Sequence, residues 1–79
     1  MGKPLIKFRG YVIAPEAVIA VSSVYAEIDD GAWAFQILLT GGQSITVTQA
    51  TGAPERKAKI ARWSFIRRWR LTRAEGETS

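Results

Sequence analysis

The fold is decided by the stretch WAFQILLTGGQSITV, which covers residues 33–47. Its first half has a large apolar residue at every odd position from Trp33 to Leu39, and its second half repeats the alternation at Ile45 and Val47. Alternation with a period of two is typical of a β-strand that buries one face. The two glycines between the halves indicate a tight turn. The stretch therefore predicts an antiparallel β-hairpin.

The length of this turn fixes which residues pair. A two-residue turn at residues 41–42 would put the two apolar rows on opposite faces of the sheet, whereas a three-residue turn at residues 40–42 puts them on the same face. The longer turn also places Gly42 at the left-handed position that such a bulged loop requires. The predicted pairs are Phe35 with Val47 and Ile37 with Ile45.

The rest of the N-terminal part of the chain predicts further strands. Pro15 indicates a turn at residues 14–17, and Asp29-Asp30-Gly31 is typical of a tight hairpin turn. The predicted strands cover residues 5–13, 18–28, 32–40 and 45–49. We therefore expect a four-stranded antiparallel meander. Its expected core face carries Phe35, Ile37, Leu39, Ile45 and Val47.

Length and composition limit what the protein can do. The 79 residues allow one small domain, and 47% of them are hydrophobic, which is typical of a globular chain. Cysteine and histidine are both absent. Their absence removes disulfides, thiolate nucleophiles, imidazole bases and the usual zinc ligands. The sequence also contains no phosphate-binding glycine loop and no calcium loop. We therefore expect a protein that is not an enzyme and has no metal or cofactor.

The charge of +4 is distributed very unevenly. Residues 10–54 contain no Lys or Arg and four acidic residues, whereas residues 55–73 contain eight basic residues and one acidic residue. Such asymmetry suggests an anionic partner. The alternative is a solvated helix whose charges keep a hydrophobic small protein soluble.

The basic segment predicts a helix that completes an α+β fold. Pro54 is favourable at a helix start, and no Gly or Pro follows until Gly76. Phe65 and Trp69 lie at helical spacing and are the expected anchors on the sheet. We predict one domain at residues 1–73, with the sheet at 5–49, the helix at about 54–70, and a disordered acidic tail at 74–79. A competing interpretation makes residues 68–71 an edge strand.

Arginine and tryptophan together indicate a binding function. Arg pairs with phosphate through its planar fork, and Trp stacks on unpaired bases. Each Trp could instead be part of the core, and Trp63 is the better candidate for exposure. One patch that also included Lys3, Lys7 and Arg9 would strengthen this interpretation. The candidate residues for binding nucleic acid or another anionic partner are Arg56, Lys57, Lys59, Arg62, Trp63, Arg67, Arg68 and Arg70.

The leading hypothesis is a small regulatory or accessory protein of the cytoplasm that binds nucleic acid. The alternative is a protein-interaction module, such as a phage- or plasmid-type factor that binds and inhibits or redirects a host protein through an acidic patch. In that case Trp63 or Trp69 would be the buried anchor. A sheet edge could also form a homodimer. The short, mixed apolar face argues against a helix that lies on a membrane.

Two segments resemble a known family. They are YVIAPEAVIAV at residues 11–21 and ILLTGGQSITV at residues 37–47. Their order of strand, proline turn, strand and glycine turn is similar to that of short bacterial and phage proteins of the flagellar FlbD-like type, over about residues 8–49. The resemblance implies a β-meander followed by a helix, and a regulatory role by analogy. The Arg- and Trp-rich end differs from that family's more acidic terminal helix, and the resemblance transfers no functional residue.

Overall fold

The α+β class is confirmed by the structure, a computed structural model that describes residues 4–29 and 31–78. Short antiparallel strands are followed by one C-terminal helix. The strands are β1 (Ile6–Phe8), β2 (Tyr11–Ile13), β3 (Val18–Val21), β4 (Tyr25–Ala26), β5 (Trp33–Leu39) and β6 (Ser44–Thr48), and the helix is α1 (Glu55–Thr78). Strands β1 and β2 form a two-stranded sheet, and β3–β6 form the four-stranded sheet.

The predicted register of β5 and β6 is confirmed. Phe35 lies opposite Val47, and Ile37 lies opposite Ile45. The backbone nitrogen of Leu39 donates to the oxygen of Gln43 at 2.8 Å and closes a three-residue turn. Both glycines of this turn have positive φ angles, 83° and 79°, which residues with a Cβ rarely adopt.

The first predicted strand, residues 5–13, is instead the β1–β2 hairpin. Phe8 lies opposite Tyr11, and the turn between them has φ angles of 48° at Arg9 and 84° at Gly10. Two successive positive φ angles are typical of the type I′ turn, whose twist matches that of the strands it joins. Ile6 and Ile13 pair across the hairpin and are both buried.

The second predicted strand, residues 18–28, is divided into β3 and β4. Both pieces pair with the same edge of β5, so the predicted meander has one interrupted edge strand. Between them, the backbone nitrogen of Gln36 donates to the side-chain Oγ of Ser22 at 2.8 Å, not to a backbone oxygen. A hydroxyl that replaces a carbonyl in the ladder interrupts regular strand pairing.

The predicted proline turn is confirmed, whereas β4 and β5 are connected by a loop that is longer than the predicted tight turn. The backbone nitrogen of Ala17 donates to the oxygen of Ala14 at 3.0 Å, and residues 15–17 form one turn of 3-10 helix. Between β4 and β5, the nitrogen of Glu27 donates to the oxygen of Ala32 at 2.8 Å. Asp30, which we placed in this second turn, lies outside the described residues.

The core lies between α1 and the sheets. Phe35, Ile37 and Val47 are buried on the expected face, and Leu39 and Ile45 pack against them in part. On the helix, Phe65 is fully buried, and its ring meets that of Phe8 edge to face, with centroids 5.3 Å apart. Trp69 packs beside this cluster, so both predicted helix anchors contact the core.

The helix is longer than predicted. It begins at Glu55, directly after Pro54, and continues through residues 68–71 to Thr78, so the edge-strand alternative is wrong. Its last turns include residues 74–78, which we assigned to an acidic tail. Within residues 4–29 and 31–78, no helix has the length and apolar composition that crossing a bilayer requires.

Candidate functional site

Helix α1 presents two different faces. Ala58, Ala61 and Phe65 are buried against the sheets, at the spacing of one helical stripe. The opposite stripe is exposed and mixes cationic with apolar side chains, at a spacing of three and four residues. This outer face consists of Arg56, Ile60, Trp63, Arg67, Arg70 and Leu71.

The two tryptophans of α1 have different environments. Trp63 is 57% exposed and lies near the middle of the outer face. Trp69 is partly buried, and its Nε1 donates to the backbone oxygen of Pro15 at 3.0 Å. The guanidinium of Arg73 lies 5.6 Å from the centre of the Trp69 ring. Trp69 therefore holds α1 on the turn after β2, and Trp63 is the indole that a ligand can reach.

Three of the predicted site residues have partners within the protein. Arg62 donates from Nε to the oxygen of Ser22, and Arg68 donates from Nη1 to the oxygen of Lys7, both at 2.7 Å. Lys59 pairs with Glu55 at 3.3 Å across one helical turn, and such an exposed pair contributes little to stability. The two arginines connect α1 to the sheets, so part of their hydrogen-bonding capacity serves the fold.

The other predicted cations remain available. In the described part of the chain, hydrogen-bond or ion-pair partners are absent for Arg56, Lys57, Arg67 and Arg70. Three of these are arginines of the outer face. Lys57 lies to the side of that face, towards the β1–β2 hairpin. The outer face therefore combines unpaired guanidinium groups with one accessible indole ring.

The N-terminal cations join the site only in part. Arg9 lines a groove together with Lys57 and Arg68, so the hairpin turn and α1 bring three positive charges together. The side chain of Lys7 is exposed on β1, and Lys3 lies outside the described residues. Of the three N-terminal cations, Arg9 therefore shares a patch with the cations of α1.

Sequence reasoning missed several residues that the fold brings to these surfaces. Ile60 and Leu71 lie on the outer face, and each is 56% exposed. The spacing of Ile60, Trp63 and Leu71 along the sequence is the signal that could have predicted a second apolar stripe on the helix. Gln49 and Ser64 line the groove beside Arg9. No sequence pattern joins these three, because they come from three separate elements.

The arrangement offers groups for binding, namely guanidinium, ammonium and indole. Among the described residues, there is no cluster of three or more carboxylate, imidazole or thiol side chains that could hold a metal ion. The expectations that the chain is not an enzyme and uses no cofactor rest on its sequence, and they remain predictions.

Comparisons of the chain with protein-family models, with curated proteins and with solved structures gave no match. The resemblance to the FlbD-like proteins therefore remains a prediction.

Proposed function

We propose that this protein is a small regulatory or accessory factor of the cytoplasm that binds nucleic acid through the outer face of α1. The supporting observation is the accessible ring of Trp63 among Arg56, Arg67 and Arg70, which have no partner in the described residues. Exposed Trp next to arginine fits single strands, because unpaired bases stack on the ring while guanidinium groups bind phosphates.

The length of the outer face suits a short stretch of strand. Arg56 and Arg70 are fourteen residues apart, which corresponds to about 21 Å at the α-helical rise per residue. Over this length the outer face carries three cations, Arg56, Arg67 and Arg70, and each can neutralise one phosphate. Three neutralised phosphates correspond to a slope of about −2 when the logarithm of the binding constant is plotted against that of the salt concentration, for a single strand.

A protein partner is the second candidate. Ile60 and Leu71 are exposed apolar residues beside Trp63, and nucleic acid gives them no obvious role. An apolar helix stripe flanked by arginines fits a groove with acidic rims, in which Trp63 would be the buried anchor. A third surface is the outer edge of β6, which no described strand pairs with, and which offers a route to a homodimer.

A membrane surface fits less well. A helix that lies on a bilayer separates a continuous apolar face from a charged one. On the outer face of α1, Arg67 lies between Trp63 and Leu71, so apolar and cationic side chains alternate along the same stripe.

The deciding experiment is a fluorescence-anisotropy titration of labelled single- and double-stranded oligonucleotides at several salt concentrations. Wild type is compared with Trp63→Ala and with Arg67→Gln/Arg70→Gln. Lys7→Gln serves as the charge control, because this exposed lysine belongs to β1. We expect both outer-face variants to weaken single-strand binding, and the control to retain it within about twofold. If the wild type does not bind either oligonucleotide at low salt, the nucleic-acid proposal is wrong and the acidic protein partner takes its place.

A further inference from the structure

A groove of about 370 Å³ separates the β1–β2 hairpin from α1, to one side of the outer face. Lys57, Ser64 and Arg68 line it from the helix, at a spacing that keeps them on one side of α1. Arg9 lines it from the hairpin turn, and Gln49 lines it from the end of β6. Three elements that are distant in sequence thus converge on one volume.

Every polar side chain of this groove can donate a hydrogen bond. Three of them are cations, and the other two are the hydroxyl of Ser64 and the amide of Gln49. Among the residues that the structure describes, no acidic side chain lines the groove. Donors and positive charge without a carboxylate are suited to an anion, and they exclude a metal cation as the ligand.

The two arginines are held in place without losing their charge. Arg68 donates from Nη1 to the oxygen of Lys7 at 2.7 Å, and a guanidinium carries four further N–H groups. Arg9 lies over the ring of Phe8, with its Cζ 5.7 Å from the ring centre. A carbonyl and an aromatic ring orient a guanidinium, and neither neutralises it. Both side chains are therefore preorganised for an anionic ligand.

Gln49 supplies an independent observation. Its Nε2 is buried and has no hydrogen-bond partner in the described part of the chain. An unpaired buried donor costs about 1–3 kcal/mol, because the group loses water and gains nothing in return. Gln49 lines the groove, so a rotation of its amide towards the groove would let an acceptor oxygen of a ligand remove this cost. The unpaired amide and the surrounding cations thus favour the same kind of ligand.

We infer that this groove is a binding site for a phosphate monoester of a small organic molecule, of the nucleoside monophosphate class. The phosphate would be bound by Arg9, Lys57 and Arg68, with Ser64 and Gln49 donating to its oxygens. The volume is near the lower end of the range for small-molecule sites, so it has room for more than the phosphate alone. Phe8 gives the groove an apolar wall for the organic part.

This site does not depend on nucleic-acid binding by the outer face. The same monoester occurs as a free nucleotide and as the 5′-phosphate of a strand. Two comparisons distinguish these sources. One is thymidine 5′-monophosphate against thymidine, and the other is a short oligothymidylate with and without its 5′-phosphate.

The test is an NMR titration of the isotope-labelled full chain at constant ionic strength. We expect thymidine 5′-monophosphate to shift the Gln49 side-chain amide and the backbone amides of Arg9 and Ser64, and thymidine to leave them unchanged. Lys57→Gln and Gln49→Leu should each weaken binding about tenfold to a hundredfold, as the loss of one hydrogen bond to a charged group predicts. Lys7→Gln removes the same charge outside the groove and should change the affinity less than twofold.

The outcomes separate the possibilities. If thymidine binds as tightly as its phosphate, or if the shifts are confined to the outer face, the inference is wrong. Full affinity of Gln49→Leu for thymidine 5′-monophosphate would also contradict the inference. If Gln49→Leu does not fold, Ser64→Ala provides the second variant. A preference for the 5′-phosphorylated strand over the free nucleotide would assign the groove to strand ends. The reverse preference would assign it to a free nucleotide.

Discussion

The Nε of Arg62 donates a 2.7 Å hydrogen bond to the backbone oxygen of Ser22, forty residues earlier in the chain. This oxygen is available because Gln36, opposite Ser22, donates its backbone N–H to the Ser22 hydroxyl. In a regular antiparallel ladder the same N–H would bond to the backbone oxygen. The interruption of the sheet between β3 and β4 thus creates the acceptor that holds α1.

Replacing Arg62 should therefore affect folding more than ligand binding. Arg62→Met keeps the alkyl stem and removes the donor, which leaves the Ser22 oxygen unpaired. We expect the free energy of unfolding to fall by about 1–2 kcal/mol. The matched variant is Arg67→Met on the outer face, which should change it by less than about 0.5 kcal/mol. Urea denaturation followed by circular dichroism measures both, and equal effects would contradict a structural role for Arg62.

Ser22→Ala tests the exchange of acceptors directly. Without the hydroxyl, the N–H of Gln36 can return to the backbone oxygen of residue 22 and compete with Arg62 for it. We expect Arg62→Met to be less damaging in the Ser22→Ala background, with a coupling of at least about 0.5 kcal/mol in a double-mutant cycle. Denaturation of the four proteins gives this value. Strict additivity would show that the two hydrogen bonds are independent.

The turn at Arg9 and Gly10 offers a test of the β1–β2 hairpin. Gly10 has a φ angle of 84°, and in the described part of the chain no atom beyond Gly10 and its two neighbours lies within 4 Å of the position that a Cβ would occupy. Gly10→Ala should therefore cost about 1 kcal/mol through backbone conformation alone. Arg9→Asn should raise stability by a few tenths of a kcal/mol, because Asn tolerates positive φ. Thermal and urea denaturation check both, and a fully stable Gly10→Ala protein would argue against this turn.

These turns show how far the sequence determines the sheet. The β5–β6 register follows from alternation and from two glycines, because a shift by one residue would expose the entire apolar row. The β1–β2 hairpin was missed because Arg9 adopts a φ angle more typical of Asn or Gly, so its dipeptide resembles strand and not turn. The division into β3 and β4 depends on whether the backbone N–H of Gln36 donates to the hydroxyl or to the backbone oxygen of Ser22. Residue propensities do not predict which of the two oxygens accepts.

The candidate site, like the sheet, was predictable from the sequence only in part. Helical spacing already separated Trp63 from the stripe that carries Phe65 and Trp69, and the structure exposes it. The hydrogen bonds of Arg62 and Arg68 were not predictable, because their acceptors are backbone oxygens that only the completed fold brings near. A run of arginines looks uniform in sequence, whereas tertiary contacts assign some to the fold and leave others for a partner.

The two tryptophans of α1 should respond differently to substitution. Trp69→Phe removes the donor to Pro15 and should lower stability by about 1 kcal/mol, whereas Trp63→Phe should change it by less than about 0.5 kcal/mol. Acrylamide quenching should decrease clearly in Trp63→Phe, because the most exposed indole of the helix is lost. Denaturation and fluorescence measure these effects. If Trp63→Phe destabilised the protein more than Trp69→Phe, the environments assigned to the two tryptophans would be wrong.

The salt dependence of oligonucleotide binding tests how many outer-face cations act. Arg67→Gln/Arg70→Gln removes two of the three outer-face charges, so the log–log slope for a single strand should fall from about −2 to about −0.7. The fold should be retained, because neither side chain has a partner in the described residues. Lys59→Gln is the matched control, since this exposed lysine of the same helix already pairs with Glu55.

Anisotropy titrations over a range of salt concentrations give the slopes of all three proteins. Trp63→Phe should weaken single-strand binding while keeping the wild-type slope, because stacking contributes affinity without releasing counterions. If Lys59→Gln reduces the slope by as much as the loss of one outer-face arginine, the cations of α1 attract the strand through their summed charge and not through one face. An unchanged slope in Arg67→Gln/Arg70→Gln would remove the outer face as the phosphate-binding surface and leave the groove beside Arg9 as the remaining cationic candidate.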